Sequence, residues 1–403
     1  MAAAYFLSRK HEVHLFEKDS RLGGHTNTVV IDGPGEPIAV DTGFIVHNDR
    51  TYPNLVRLFE ELGVETQASD MSFAVACRKT GFEYSSRGLT GYFAQKLNLF
   101  RSRHYELLLE ILRFNRQAPK LLLAPNPPQM TLGEYLDESR FSANFADRYL
   151  FPMASAVWST SREAIRSFPA LNLIRFFDNH GMLQILNQPK WKVVRGGSNQ
   201  YIAPLTAPYL DRVHLGANIT RVSRDERGVA LRFLDRPEMR FDEVVFACHG
   251  DQVLPLLEAP SDAEREIMGT FRTTPNEAWL HTDARLLPAR PHARASWNYN
   301  LEADGTTGAS VTYHMNRLQS LDLPEEYCVT LNPEGAIDES KVLRKITYRH
   351  PFYDRSTMRA QARWEEISGR NHTHYCGAYW TYGFHEDGLT SALRVARALG
   401  VNW

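Results

Sequence analysis

Glu17, Arg21, Gly23 and Gly24 fall within one short segment, Glu17-Lys18-Asp19-Ser20-Arg21-Leu22-Gly23-Gly24. An acid that ends a strand can accept the hydroxyls of a ribose. Glycines, having no Cβ, let backbone N–H groups come close to a phosphate. Val13 and Leu15 alternate ahead of Glu17 as one face of a short strand. Ala2 to Leu7 has the composition of a helix whose alanines allow close packing on a sheet. A pyrophosphate held between a glycine turn and a helix N-terminus, with the ribose on Glu17, is the chemistry this spacing suits. A dinucleotide fold also places a strand and a G-x-G-x-x-G turn before such a helix. Neither precedes Ala2. The expectation is a nucleotide domain lacking its first strand, less stable and binding its nucleotide less tightly than a longer version would.

The elements that must position these residues follow from periodicity. Residues 32–37 form a Gly/Pro/Asp turn, after which Ile38 to Val40 return as a strand into Asp41-Thr42-Gly43. Helical spacing covers Asn54 to Leu62 and, with interruptions, about Gly91 to Asn187. Strand-like runs occur at Val213 to Leu215, Thr220 to Arg224, Val229 to Phe233 and Val244 to Ala247. A sheet of its own is expected between Glu277 and Tyr353, with Ala295 to Tyr299, Ser310 to His314 and Tyr327 to Leu331 as its clearest strands. A helix-like run from Ser356 to Ile367, a strand from Thr373 to Cys376 and a helix after Gly388 close the chain. This order predicts an α/β protein. A doubly wound, Rossmann-like nucleotide domain is assembled from residues 1–60, 190–270 and 370–403, and an α+β substrate domain from 61–189 and 271–369 is inserted into it.

The strand-ending Glu17 with Arg21, Gly23 and Gly24 resembles the segment by which flavin amine oxidases bind the ADP half of FAD. The likeness to this family, which includes the phytoene desaturases, recurs along nearly the whole chain. Asp41-Thr42-Gly43-Phe44 resembles the segment passing close to the flavin ring, and Val194 to Ser198 the glycine pair before the return to the nucleotide domain. Val213 to Val222 resembles the strand pair whose backbone meets the adenine, which the resemblance assigns to Val222, and Val244 to Cys248 the strand leading back out. Gly377-Ala378, then Gly383 to Leu389 with Glu386, Asp387, Gly388 and Leu389, and Ser391 resemble the last FAD motif, at the ribityl chain and pyrimidine edge. A helix N-terminus there would stabilise the negative charge of a reduced flavin. In detail Ser296 to Tyr299, Tyr313 to Gln319 and Gly383 to Leu389 are similar to bacterial amine-oxidase-like NAD/FAD-binding proteins, which resemble the flavoprotein domain in front of some cyclopropane fatty-acid synthases. From that likeness alone comes the expectation of a small or lipid-like substrate. His25 stands where amine oxidases commonly carry Arg, and Gly377-Ala378 where many relatives have Gly-Asp, so amine specificity does not follow.

With 46 Lys plus Arg against 47 Asp plus Glu, the net charge of −1 supplies no basic field for nucleic acid. Cys77, Cys248, Cys328 and Cys376 are scattered without a CxxC pair, the usage of a reduced, cytoplasmic protein. No stretch reaches the roughly 18 apolar residues of a membrane span. Peripheral contact with a membrane is possible through Arg101 to Ala124, where Leu107, Leu108, Ile111, Leu112 and Phe114 sit among arginines, although an ordinary amphipathic helix has the same spacing. His372, His374 and Cys376 alternate as zinc ligands on a strand could, but no fourth ligand is evident and no metal is expected. Trp297, Tyr299, Tyr313, Tyr379, Trp380 and Tyr382 are candidates for a substrate cavity or for core, and His249 and His350 for proton carriers; no residue is assigned as catalytic. The expected reaction moves hydride from a C–H bond of the substrate to flavin. A redox-neutral flavin isomerase, or a truncated non-catalytic homologue, would carry the same motifs.

Overall fold

The computed structural model describes residues 1–33, 35–158, 162–184, 188–301, 310–333 and 336–403. The fold is α/β. Two pairs of parallel strands stand as separate two-stranded sheets: Leu15–Phe16 beside Val213–His214, and Val244–Phe246 beside Thr373–Tyr375. The first strand is shorter than its alternation predicted, because the residues that would pair with Val13 and His14 lie in the 3-10 turn Ala207–Arg212. Ile219–Asp225, Gly228–Phe233 and Met239–Phe241 form an antiparallel meander, and Thr28–Ile31 pairs with Ile38–Asp41 as a hairpin. The helix Ala2–Leu7 packs Phe6 and Leu7 into a core shared with Leu58, Phe59 and Leu393 of the helices Pro53–Glu61 and His385–Ala398.

A seven-stranded sheet runs in the order Val342–Phe352, Arg272–His281, Cys328–Leu331, Val311–His314, Trp297–Asn300, Phe73–Cys77, Phe82–Ser85. All its neighbours are antiparallel except Trp297–Asn300 beside Phe73–Cys77. The three strands expected in this region are all present. A helical block covers it, including Ser102–Leu122, Leu132–Glu138, Phe151–Trp158 and Ala170–Asn179. The expected helical run to Asn187 ends in residues outside those described. Thr131 and Glu134 close a capping box that satisfies two orphan N–H groups at the start of Leu132–Glu138. Phe114, Phe145 and Phe177, all fully buried, join the helices to Tyr299 and Val329 of the sheet in one core. The final helix, His385–Ala398, starts three residues before Gly388. The Gly388 N–H is therefore already bonded to the Phe384 carbonyl, 3.0 Å away.

Candidate functional site

One cavity of about 3400 Å³ is lined by Glu17, Gly23, Thr42, Phe44, Gly377 and Gly388 at one end and reaches Trp297, Tyr313 and Ile111 at the other. Segments distant in sequence therefore share a single cleft.

The glycine turn is held from within. Arg21 donates from Nη1 to the carbonyls of Leu22 and Thr26, each 3.2 Å, and from Nη2 to that of Gly24, 2.7 Å, so its guanidinium locks the loop. Gly23 has φ +114°, and a Cβ there would lie 2.4 Å from the Thr26 carbonyl oxygen, so only glycine fits. The N–H groups of Leu22, Gly23, Gly24 and His25 donate to nothing among the described residues. Four free donors beside a guanidinium make a nest suited to a pyrophosphate. Glu17 accepts from the Asp19 N–H at 3.0 Å through one carboxylate oxygen, leaving the other for a ribose.

The second wall is a close crossing of backbones. At Gly43 an added Cβ would lie 2.1 Å from the His25 carbonyl oxygen, which accepts the Phe44 N–H at 2.7 Å. Phe44 stacks on His385, ring centroids 3.7 Å apart, and His385 Nε2 is 3.1 Å from Thr26 Oγ1. Thr42 donates to the Asn27 carbonyl at 2.9 Å and lies 2.8 Å from the Tyr348 hydroxyl. Beneath them Asp41, fully buried, accepts from Thr28 Oγ1 at 2.6 Å, Ser198 N at 2.8 Å and Ser198 Oγ at 2.9 Å. Burial raises its carboxyl to about 6. This carboxylate joins three segments that the sequence motifs had only placed in order.

The last motif reaches the same cleft, but its polar side chains face the protein. Glu386 accepts from Asn54 N at 3.0 Å, Asn54 Nδ2 at 2.6 Å and Leu55 N at 2.9 Å, capping the helix Pro53–Glu61. Asp387 accepts the Phe384 N–H at 2.9 Å, and burial lifts its carboxyl to about 7. Ser391 accepts the Gly377 N–H at 2.7 Å and donates to the Gly388 carbonyl at 3.0 Å. Leu389 is core. The side chains of Glu386, Asp387 and Ser391, given to the cofactor by resemblance, thus spend these hydrogen bonds on fixing the helices, while Leu389 also lines the cavity. Val222 borders the cavity, yet its carbonyl accepts the Glu258 N–H at 3.0 Å and its strand is paired inside the meander, so its backbone is not free for an adenine.

Sequence reasoning named His25, His249 and His350 one by one but not the half-buried cluster that they form with Tyr348. The His25 ring lies 5.0 Å from Tyr348, 5.3 Å from His350 and 5.9 Å from His249. His25 Nε2 and His350 Nδ1 have no hydrogen-bond partner among the described residues. Burial, reinforced by neighbouring imidazoles, lowers His25 to about 3 and His350 to about 4, so both are neutral near pH 7. Of the aromatics weighed from the sequence, Trp297, Tyr313, Tyr379 and Tyr382 line the cavity, whereas Tyr299 and Trp380 are core. Trp297 and Tyr313 meet edge to face, centroids 4.9 Å apart. His372 and His374, weighed as zinc ligands, both turn to Glu243, at 3.2 and 3.5 Å, and no group of three His, Cys, Asp or Glu that could hold a metal ion is found among the described residues.

Comparison with known proteins supplies the family. Residues 1–325 match the family model for flavin-containing amine oxidoreductases. Comparison with curated protein sequences gives no match. Among solved structures the chain is similar to putrescine oxidase bound to putrescine, at 13% identity and TM-score 0.67, covering 99% of this chain and 95% of that one. It is similar to cyclohexylamine oxidase from Brevibacterium oxydans IH-35A, at 14% identity and TM-score 0.67, covering 99% and 97%. A fatty acid isomerase from P. acnes has the same fold, at 16% identity and TM-score 0.70, covering 98% and 95%. The free-donor turn, the Glu17 carboxylate and the glycine crossing suit an FAD, and the chain belongs to the flavin-containing amine oxidoreductase family as an FAD-dependent oxidoreductase.

Proposed function

We propose that this enzyme oxidises an elongated, apolar, lipid-like substrate at a C–H bond. The observation that carries the reading is the cavity's lining: besides the glycine turn it takes in Trp297 and Tyr313 and an apolar arm of Leu108, Ile111, Met153 and Val157. Its volume of about 3400 Å³ exceeds what one nucleotide cofactor requires, since ligand pockets are typically ~300–1,000 Å³. Bound FAD would supply the acceptor for two electrons and a hydride.

The chain's own groups divide the remaining work. The N–H groups of residues 22–25 and the Arg21 charge would hold the pyrophosphate of FAD, and Glu17 its ribose. Trp297 and Tyr313 orient the substrate and, with the arm, keep water away from the reacting carbon. His25 and His350, held neutral by burial, offer the substrate hydrogen-bonding nitrogens at Nε2 and Nδ1.

The test begins with a visible spectrum of the purified protein and identification of the released flavin, then anaerobic mixing with candidate substrates. Bleaching of the flavin by long-chain apolar compounds, and not by short amines, is expected. Bleaching by short amines alone would overturn the reading, and product formed with no acceptor consumed would assign the same substrate class to a redox-neutral isomerase.

A further inference from the structure

Exposed large apolar side chains are concentrated in one segment of this protein. Leu89, Leu97, Phe100, Leu109 and Leu123 are exposed by 73%, 63%, 87%, 65% and 82%, with Leu99, Tyr105 and Leu112 also exposed between them. The helix Ser102–Leu122 explains part of this. Leu107, Ile111, Phe114 and Ala118, at helical spacing, form the stripe turned to the core. Tyr105, Leu109 and Leu112 lie on the opposite side of the same helix and face solvent. An ordinary amphipathic helix has one apolar face, and this one has two.

Charge singles out the same surface. Between Arg87 and Lys120 stand seven cationic residues, Arg87, Lys96, Arg101, Arg103, Arg113, Arg116 and Lys120, against only Glu106 and Glu110, in a chain of net charge −1. Of the seven only Arg113 pairs with a carboxylate, Glu110, among the described residues. Leu109 and Leu112 floor a shallow groove flanked by Arg113, Arg116 and Lys120. The large cavity reaches this surface too, since the exposed Leu89 and Leu112 also line it. No helix among the described residues is long and apolar enough to cross a membrane, so contact through this segment is with a surface.

We propose that residues 89–123 form a docking face for an anionic lipid bilayer, with Leu97 and Phe100 entering the acyl boundary, the unpaired cations meeting lipid phosphates, and the cavity mouth held against the membrane. Apolar side chains ringed by unpaired Lys and Arg are what an anionic interface rewards. The docking itself does not rest on the proposed substrate, so the two readings fail separately.

The full-length chain is floated with vesicles of phosphatidylcholine alone, or of phosphatidylcholine and phosphatidylglycerol in equal parts. The expected result is about tenfold greater partition onto the anionic vesicles, falling with salt. Replacing Leu97→Asp together with Phe100→Asp lowers that partition about tenfold, and Arg101→Gln with Arg103→Gln removes the preference for anionic lipid. Leu234→Asp, at a residue 77% exposed on the Gly228–Met239 turn, has no effect and serves as the control for a lost apolar side chain elsewhere. The proposal is overturned if the wild type floats with neither vesicle, if Leu97→Asp/Phe100→Asp floats as well as the wild type, or if Leu234→Asp is equally damaging. It is also overturned if the patch instead closes a dimer that Leu97→Asp/Phe100→Asp dissolves while no vesicle is bound.

Discussion

The two ends of the cavity are built on opposite plans. At the glycine end the walls are backbone: Gly23 and Gly43 sit where a Cβ would lie 2.4 and 2.1 Å from a carbonyl oxygen, and buried polar groups such as Asp41 pin the crossing strands. At the apolar end the walls are side chains of packed helices, Leu108, Ile111, Met153 and Val157 among them, with no such backbone crossing. A backbone site tolerates almost no change, because nothing in it can move aside. A side-chain wall can change shape by repacking, so it can take different substrates in different relatives.

The contrast is broken most severely at Asp41. Replacing Asp41→Ala strands three buried donors, on Thr28 and Ser198, each costing about 1–3 kcal/mol. The expected loss is about 3–5 kcal/mol in urea unfolding, together with loss of flavin. Stability unchanged to within about 1 kcal/mol would place the strength of this wall elsewhere.

Next comes a matched pair. Gly43→Ala forces His25 and the 41–44 segment apart and lowers FAD affinity at least about tenfold, read by flavin fluorescence, for an overpacking cost of about 1–3 kcal/mol. Ile111→Ala leaves FAD affinity alone and lowers kcat/KM for a long-chain substrate by about tenfold. If Ile111→Ala releases flavin as readily as Gly43→Ala, the two ends are not separate devices. Glu17→Ala has a more local effect: it removes a charge-assisted acceptor and weakens FAD by about 1.5–3 kcal/mol, with protein stability unchanged. Undiminished flavin occupancy would make Glu17 an ordinary surface carboxylate.

The same contrast governs what the sequence could disclose. Gly23, Gly24 and Gly43 could be read directly, since a position that only glycine can occupy appears as glycine in a recognisable order with Glu17 and Arg21. Three strands of the seven-stranded sheet, Trp297–Asn300, Val311–His314 and Cys328–Leu331, were equally plain as apolar runs bounded by turns, whereas Phe73–Cys77 and Phe82–Ser85, far away in sequence, were not foreseen. Residue type does not reveal direction, however. Glu386, Asp387 and Ser391 belong to the right motif, but whether their side chains face a cofactor or the helices around them depends on Asn54, Leu55, Phe384 and Gly377, the first two more than 300 residues away. The cluster of His25, His249, Tyr348 and His350 comes from three separate segments and has no spacing to find. For the apolar end, periodicity located the helix Ser102–Leu122 but did not separate its inner from its outer apolar face.

The smallest effect expected is a pH dependence centred on the glycine end. Burial lowers His25 to about 3, His350 to about 4, His385 to about 3 and His47 to about 4, all from 6.5. Between those values and 6.5 the unfolded chain binds more protons at these sites than the folded one, so stability rises with pH through that window. Asp41, raised from 3.8 to about 6, and Asp387, raised from 3.8 to about 7, act in the opposite direction, because there the folded state holds the extra protons. With His180 and His281, each also lowered to about 4, the imidazoles outnumber the two carboxyls, so the Tm of the flavin-free protein rises by a few degrees from about pH 4.5 to 6.5. His25→Asn and His350→Asn remove two of the rising contributions and flatten the profile, and Asp387→Asn removes a falling one and steepens it. Scanning fluorimetry across the range reads all three. A profile that stays unchanged in His25→Asn and His350→Asn would mean these imidazoles are hydrated in the folded protein, and with that the neutral hydrogen-bonding nitrogens proposed to meet the substrate would be lost.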